Sequence, residues 1–292
     1  MSRVENTLPV SVCIPVRNEA VNLPACLASL SDFAEVVVVD SGSTDQTAEI
    51  ARQAGAAVLH FQWDGKFPKK RNWALRNHRF AHPWILFLDA DERMNPAFVE
   101  ELRQVLPTSP HVGFWISFTN WFMDKPLRHG DVFRKLALFR LGFGEYECFP
   151  EDSWSRLDME VHEHPILKGS VGDLGSRLDH RDYRGLHNYL ARHNEYSSWE
   201  ANRFLWLQAA EPQAWQALNP RQRIKYKPLH RWWFGWFYWA LAVVVISGFL
   251  DGREGLRLGL LKRRYFEEIR LKIIEARQRN VSAGITPSLN DN

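Results

Sequence analysis

Two short acidic segments stand out in this chain, Asp40-Ser-Gly-Ser-Thr-Asp45 and Asp89-Ala-Asp91-Glu92. Each follows an apolar run, Val36-Val-Val-Val39 and Trp84-Ile-Leu-Phe-Leu88. Short β-branched and apolar runs bounded by turn formers read as strands buried on both faces. Open parallel sheets bind ligands beyond the carboxyl ends of their strands. Carboxylates gathered there are costly to hold together unless positive charge sits among them. A divalent cation with hard oxygen ligands, bridging to phosphate, is the usual solution. The two segments therefore predict a site for a nucleoside diphosphate and a metal.

Placing those carboxylates falls to strands and helices that alternate through the first part of the chain. Residues 10–16, 35–40, 56–61 and 84–88 read as strands, and 22–30 and 69–79 as helices. Ser43 with Gln46 forms a capping-box pattern, which predicts a helix starting with Ser43 as its N-cap. On that reading Asp45 belongs to a helix start and not to a ligand set. Gly55 suits the C′ position that ends the helix. Asn95 followed by Pro96 opens another helix, and residues 112–121 make a further strand. This order predicts an α/β fold with a mainly parallel sheet and right-handed crossovers. Between residues 122 and 179 the pattern weakens into short strands and glycine-containing turns, expected to build the acceptor side of a cleft. Helical spacing returns over residues 184–210.

Four motifs, Pro15-Val-Arg-Asn-Glu19, Asp40 to Asp45, Lys69-Lys-Arg-Asn72 and Asp89-Ala-Asp-Glu92, fall in one order and spacing. That arrangement resembles the family 2 glycosyltransferases, and more closely their lipopolysaccharide-core glucosyltransferase-like branch. Val161-His-Glu163, Val171-Gly-Asp-Leu174 with His180, and Gly248-Phe-Leu-Asp-Gly252 extend the resemblance over roughly residues 10–265. The resemblance implies a GT-A, Rossmann-like nucleotide-binding domain, placed at residues 1–182. A helical extension over 183–281 and a disordered tail over 282–292 would follow. It implies an inverting, metal-dependent transfer of a hexose, glucose by resemblance, from a UDP-sugar. The implied acceptor is a saccharide of the lipopolysaccharide inner core; another lipid-linked acceptor, such as a polyprenyl phosphate or a polysaccharide repeat unit, is the alternative. A non-catalytic membrane scaffold with a vestigial nucleotide pocket is the rival from outside enzymology.

Residue chemistry agrees with that donor. Pro15, Arg17, Glu19, Asp40, Arg71, Asn72 and Asp89 make up the expected donor-binding set. Asp40 can accept from a base N–H, uracil by resemblance, while Glu19 and Asp89 can hold base and ribose edges. Arg71 can clamp phosphate bidentately with Asn72 alongside, although Lys69-Lys-Arg71 alone reads as a solvated helix face. Asp91 is the expected metal ligand, and the resemblance adds His180 as the second. Imidazole suits Mn²⁺ better than Mg²⁺. Inverting transfer also needs a base on the acceptor hydroxyl. The resemblance puts it at Glu163, with Asp152 as the alternative, and leaves His162 and His164 as ordinary loop histidines.

The 292 residues carry a formal net charge of +3, too little to imply nucleic acid. Three scattered cysteines, Cys13, Cys26 and Cys148, fit a reducing compartment and neither a disulfide framework nor zinc. Cys13 reads as a small core residue. Residues 1–9 show no apolar stretch of signal-peptide type, so the catalytic portion is expected to stay in the cytosol. Residues 232–250 carry no charge, yet four of the first eight are Trp. Such aromatics favour the headgroup level over the hydrocarbon centre. Arg221, Arg223, Lys225, Lys227 and Arg231 precede the segment, and Lys262-Arg-Arg264 follows it. Residues 256–274 then read as a basic amphipathic helix. Together these predict a monotopic or re-entrant attachment to an anionic membrane surface, on the cytoplasmic face of the inner membrane, ahead of a single crossing.

Overall fold

The computed structural model describes residues 7–130, 132–148, 151, 154, 155, 157, 158, 164–210 and 212–282. They form two compact units, Met1–Pro126 with Val132–Arg184, and Leu127–Asp131 with Gly185–Asn292.

The first unit begins with β1 (Leu8–Val16), α1 (Leu23–Ala28), β2 (Phe33–Asp40), α2 (Thr47–Gln53) and β3 (Ala57–His60). It continues through α3 (Lys70–Asn77), β4 (Trp84–Phe87), β5 (Glu92–Arg93), α4 (Pro96–Val105) and β6 (Gly113–Phe122). Next come β7 (Lys125–Leu127), which crosses the unit boundary, then β8 (Phe133–Arg140), β9 (Gly144–Tyr146), β10 (Pro165–Leu167) and β11 (Val171–His180). The main sheet runs β3-β2-β1-β4-β8-β6-β11-β5, with β7 on β6. Strands β1 to β4 pair in parallel, as alternation with helices requires. Its apolar runs are buried on both faces: Val12 and Ile14 pack in one core cluster, Cys13 and Val37 in the other.

Two expectations are corrected here. The stretch 122–179 supplies two long strands to the main sheet, not only short ones. β8 is antiparallel to both β4 and β6, and β11 is parallel to β6. Leu138 and Phe139 of β8 pack into the two core clusters on opposite faces, the burial expected of a strand inside the sheet. The capping box is the second. Helix α2 begins at Thr47 with Gln46 as N-cap, because the hydroxyl of Ser43 is committed elsewhere. It donates to Asp40 and accepts from the backbone N–H of Asn18. Asp45 does serve the helix start, accepting from the N–H and hydroxyl of Thr47. Gly55, at φ +81°, follows the C-cap of α2 as expected. Asn95 caps α4, its side chain accepting from Phe98 N.

The second unit is helical. It holds α5 (Gly185–Ala209), α6 (Pro212–Ala217), α7 (Pro220–Tyr226), α8 (Phe234–Ala240) and α9 (Gly252–Ser282). Phe204, Leu207, Tyr226, Phe266, Ile269 and Ile273 make its core. Between α8 and α9 lie a π-helical turn, Leu241–Val245, and a 3₁₀ turn, Gly248–Asp251.

Candidate active site

The ends of β1, β2 and β4 in the first unit deliver the two acidic segments to one edge of the sheet. The loops after β1 and β2 are tied together. Asn18, in the left-handed region at φ 55°, accepts from Thr44 N through its side chain. Glu19 N donates to Thr47 Oγ1, and Ala20 N to Asp45. The Ser-Gly-Ser-Thr segment thus fixes the loop that carries Arg17 and Glu19. Pro15 is buried at the end of β1 and Arg17 is exposed. Asp40 is buried and accepts from Ser43 N at 3.1 and 3.3 Å.

Glu19 sits in a polar cluster that the sequence did not disclose. Its carboxylate meets Arg184 Nη1 at 2.6 Å and accepts from Asn22 at 2.9 Å. Arg184 also grips Asp182 through Nε and Nη2, each at 2.9 Å. Burial, working against Arg184 and Asn22, raises the Glu19 carboxyl to about 7.

The Lys69-Lys-Arg71 run is buried, unlike a solvated helix face. Lys69 pairs with Glu151; Lys70 meets Asp158 at 3.2 Å and donates to Val16 O. Arg71 donates to Asp89 at 3.0 Å and lies over the Tyr146 ring. Asn72 engages the backbone N–H and C=O of Tyr146 through both ends of its amide. Its side chain anchors β9 behind Arg71.

Around the second acidic segment the sheet supplies a lysine that no motif revealed. Lys135 of β8 makes ion pairs with both Asp89 and Glu92. Burial works against ionisation of Asp89, but Lys135 and Arg71 outweigh it and hold the carboxyl well below its usual range. Burial raises the Glu92 carboxyl in spite of Lys135, and the two carboxylates raise the lysine. No motif signals Lys135; it is carried by β8, which pairs antiparallel with β4 from Trp84–Arg140 to Leu86–Leu138.

Asp91 and His180 come together from distant parts of the chain. His180 Nε2 stands 3.4 Å from Asp91 Oδ2. β5 pairs antiparallel with β11, placing Glu92 opposite His180. His180 Nδ1 donates to Asn120 Oδ1 at 2.8 Å, with Asn120 its neighbour on β6. A ring held through Nδ1 directs Nε2 outward as a ligand does. Burial lowers the His180 pKa, but Asp91 overcomes it and the net shift is upward. Among the described residues no group of three or more His, Cys, Asp or Glu could hold a metal. One carboxylate and one oriented imidazole nonetheless fit a cation that takes its remaining ligands from diphosphate and water. Glu163 and Asp152, the two expected bases, lie outside the described residues, as do His162 and residues 283–292 of the tail. His164 packs its ring against Trp115 at 4.9 Å.

The profile of Glycosyl transferase family 2 matches residues 11–157. Lipopolysaccharide core biosynthesis glycosyltransferase LpsC of Rhizobium meliloti is 31% identical over 205 residues, 67% of this chain and 71% of that protein. The chain belongs to the family 2 glycosyltransferases and is an enzyme of that class. A TPR repeat-containing protein of Synechococcus elongatus is 43% identical over 108 residues, 37% of this chain but only 26% of its own length. Glucosyl-3-phosphoglycerate synthase of Mycobacterium tuberculosis, crystallised with Mn²⁺, UDP and glucosyl-3-phosphoglycerate, is 25% identical with a TM-score of 0.31, over 40% of this chain and 45% of that one.

Proposed function

We propose that this glycosyltransferase moves a hexose, glucose foremost, from a UDP-sugar to a hydroxyl of a saccharide acceptor in lipopolysaccharide inner-core assembly, with inversion. The observation that carries the reading is the Asp91–His180 pair, 3.4 Å apart and oriented by Asn120. Asp91 and His180 would hold the divalent cation, Mn²⁺ or Mg²⁺, which neutralises the diphosphate as negative charge grows on it. Arg71, held beside Asp89, adds a guanidinium at the same carboxylate-rich edge, where charge on a departing diphosphate is best met. Asp40 accepts from the base, and Glu19, fixed by Arg184 and Asn22, holds the nucleoside edge. Glu163 takes the proton of the acceptor hydroxyl as the new C–O bond forms and the bond to diphosphate breaks; Asp152 is the second candidate for that proton.

The acceptor class rests on LpsC, a lipopolysaccharide core glycosyltransferase by name, whose similarity covers 67% of this chain. A lipid anchor on that acceptor belongs to the same reading. Incubation with a panel of UDP-sugars and truncated core acceptors, followed by linkage analysis, tests the reading. Transfer of glucose to a core acceptor with inverted anomeric configuration is expected. Retention of configuration, or turnover unaffected by chelation, would refute it.

A further inference from the structure

The helical unit holds apolar surface that its own core leaves uncovered. Trp236, Val244, Val245, Phe249, Leu250 and Leu256 are all exposed, Val245 to 69%. They line a break in which Phe234–Val245 and Gly248–Arg279 meet at 72°. Ser247 adopts φ 60° at the apex. The arms close tightly because glycines face them: a Cβ at Gly248 would stand 2.5 Å from Ala242 O, and one at Gly259 2.4 Å from Val243 Cγ2.

The apex is also clasped. Asp251 accepts from Arg128 N and His129 N at 2.9 Å each and meets His129 Nδ1 at 3.0 Å. Gly130 N donates to Ile246 O at 2.8 Å. Thus the first acidic residue after a long acid-free stretch is buried against the loop and withheld from the apolar surface. No described helix is long and apolar enough to cross a bilayer. The arm before the break spans roughly 18 Å at 1.5 Å per residue, against a hydrocarbon core of about 30 Å.

Charge and aromatic placement identify the occupant of this surface. No acidic residue lies between Glu211 and Asp251, whereas Arg253, Arg257, Lys262, Arg263 and Arg264 line the start of α9. The guanidinium of Arg263 lies 4.0 Å from the Trp236 ring centroid. An arginine stacked on Trp236, with further basic residues beside exposed aliphatics, matches a headgroup-to-acyl boundary carrying negative charge. We propose that the broken hairpin inserts into one leaflet of an anionic bilayer without crossing it. This inference uses neither the sugar donor nor the acceptor, so it stands or falls apart from the proposed reaction.

The test is flotation of the full-length protein with vesicles of phosphatidylcholine alone or with added phosphatidylglycerol. At least tenfold more protein should float with the anionic vesicles, and tryptophan fluorescence should be quenched by lipids brominated on the upper acyl chain. V245D/L250D should lose flotation while keeping the circular dichroism and melting profile of the parent. R263E/R264E should lose the preference for anionic lipid. Absence of both flotation and quenching in the parent protein overturns the proposal, and needs no variant to fold. Equal flotation of V245D/L250D overturns it as well. So does a parent dimer by light scattering that fails to float and becomes monomeric in V245D/L250D, which would assign the surface to self-association.

Discussion

At the scale of single residues, Lys135 is the clearest departure from what motifs convey. Asp89 and Asp91 were singled out as carboxylates at a strand end, and His180 entered only through the family resemblance; the fold brings His180 within 3.4 Å of Asp91. Lys135 has no motif; its ion pairs with Asp89 and Glu92 form only once β8, distant in sequence, folds beside β4. Removing it leaves Asp89 and the fully buried Glu92 without their shared cation. Lys135→Met should therefore cost about 3 kcal/mol in denaturant unfolding, and adding Glu92→Gln in the same chain should recover much of that loss. Asn120 is the corresponding case for Asp91 and His180, the proposed metal pair. Its contact orients His180 and leaves Asp91 untouched, so Asn120→Ala should weaken Mn²⁺ binding about tenfold, read by paramagnetic titration. Glu19 gives a pH dependence. Burial raises its carboxyl to about 7 in the fold against an ordinary value of 4.5, so between these values the folded chain keeps a proton that the unfolded chain has released. Its contribution to stability is thus fullest below pH 4.5 and falls as pH rises toward 7. Relative to Glu19→Gln, the parent should lose on the order of 1–2 kcal/mol across that window in urea melts.

At the scale of elements, the strands of the βαβ units and β6 were legible, while β8 and β11 were not. Apolar runs announce β1, β2 and β4, with Asp40 and Asp89 closing the runs of β2 and β4. β8 and β11 carry charged residues along their length, Arg134, Lys135 and Arg140 in one, Asp173, Arg177 and Asp179 in the other. That pattern hides their place inside the sheet. The Ser43 reading failed for a related reason. A capping box is a local statement, and a long-range bond from Asn18 N captured the hydroxyl. In the helical unit, Asp251 fastens the break by three contacts to residues 128 and 129. Asp251→Ala should lower the stability of the unit by about 1–3 kcal/mol and speed amide exchange at Arg128 and His129, followed by NMR or mass spectrometry.

At the scale of the whole molecule, a net charge of +3 conceals a segregated distribution. Acidic strand ends and the acid-free basic stretch before Asp251 offset one another in the sum, so the total was uninformative while local runs were not. A ligand that engages only the folded sheet should report on the site as a whole. With UDP and Mn²⁺ each near 100 times their dissociation constants, unfolding should become harder by about 2.7 kcal/mol for each ligand bound. Asp91→Ala with His180→Ala should remove the Mn²⁺-dependent part of that gain in thermal-shift measurements, while any UDP effect without metal persists.

The place of β8 between β4 and β6 bears on how the chain is made. During translation β4 emerges well before the strand that will cover its free side, and β6 cannot reach it in the native order until β8 arrives. A nascent polypeptide released after residue 122 would present β4 as an open hydrogen-bonding rim, the kind of edge on which chains associate. Ribosome-bound intermediates of that length should therefore depend on holdase chaperones, and that dependence should end soon after residue 140 clears the exit tunnel.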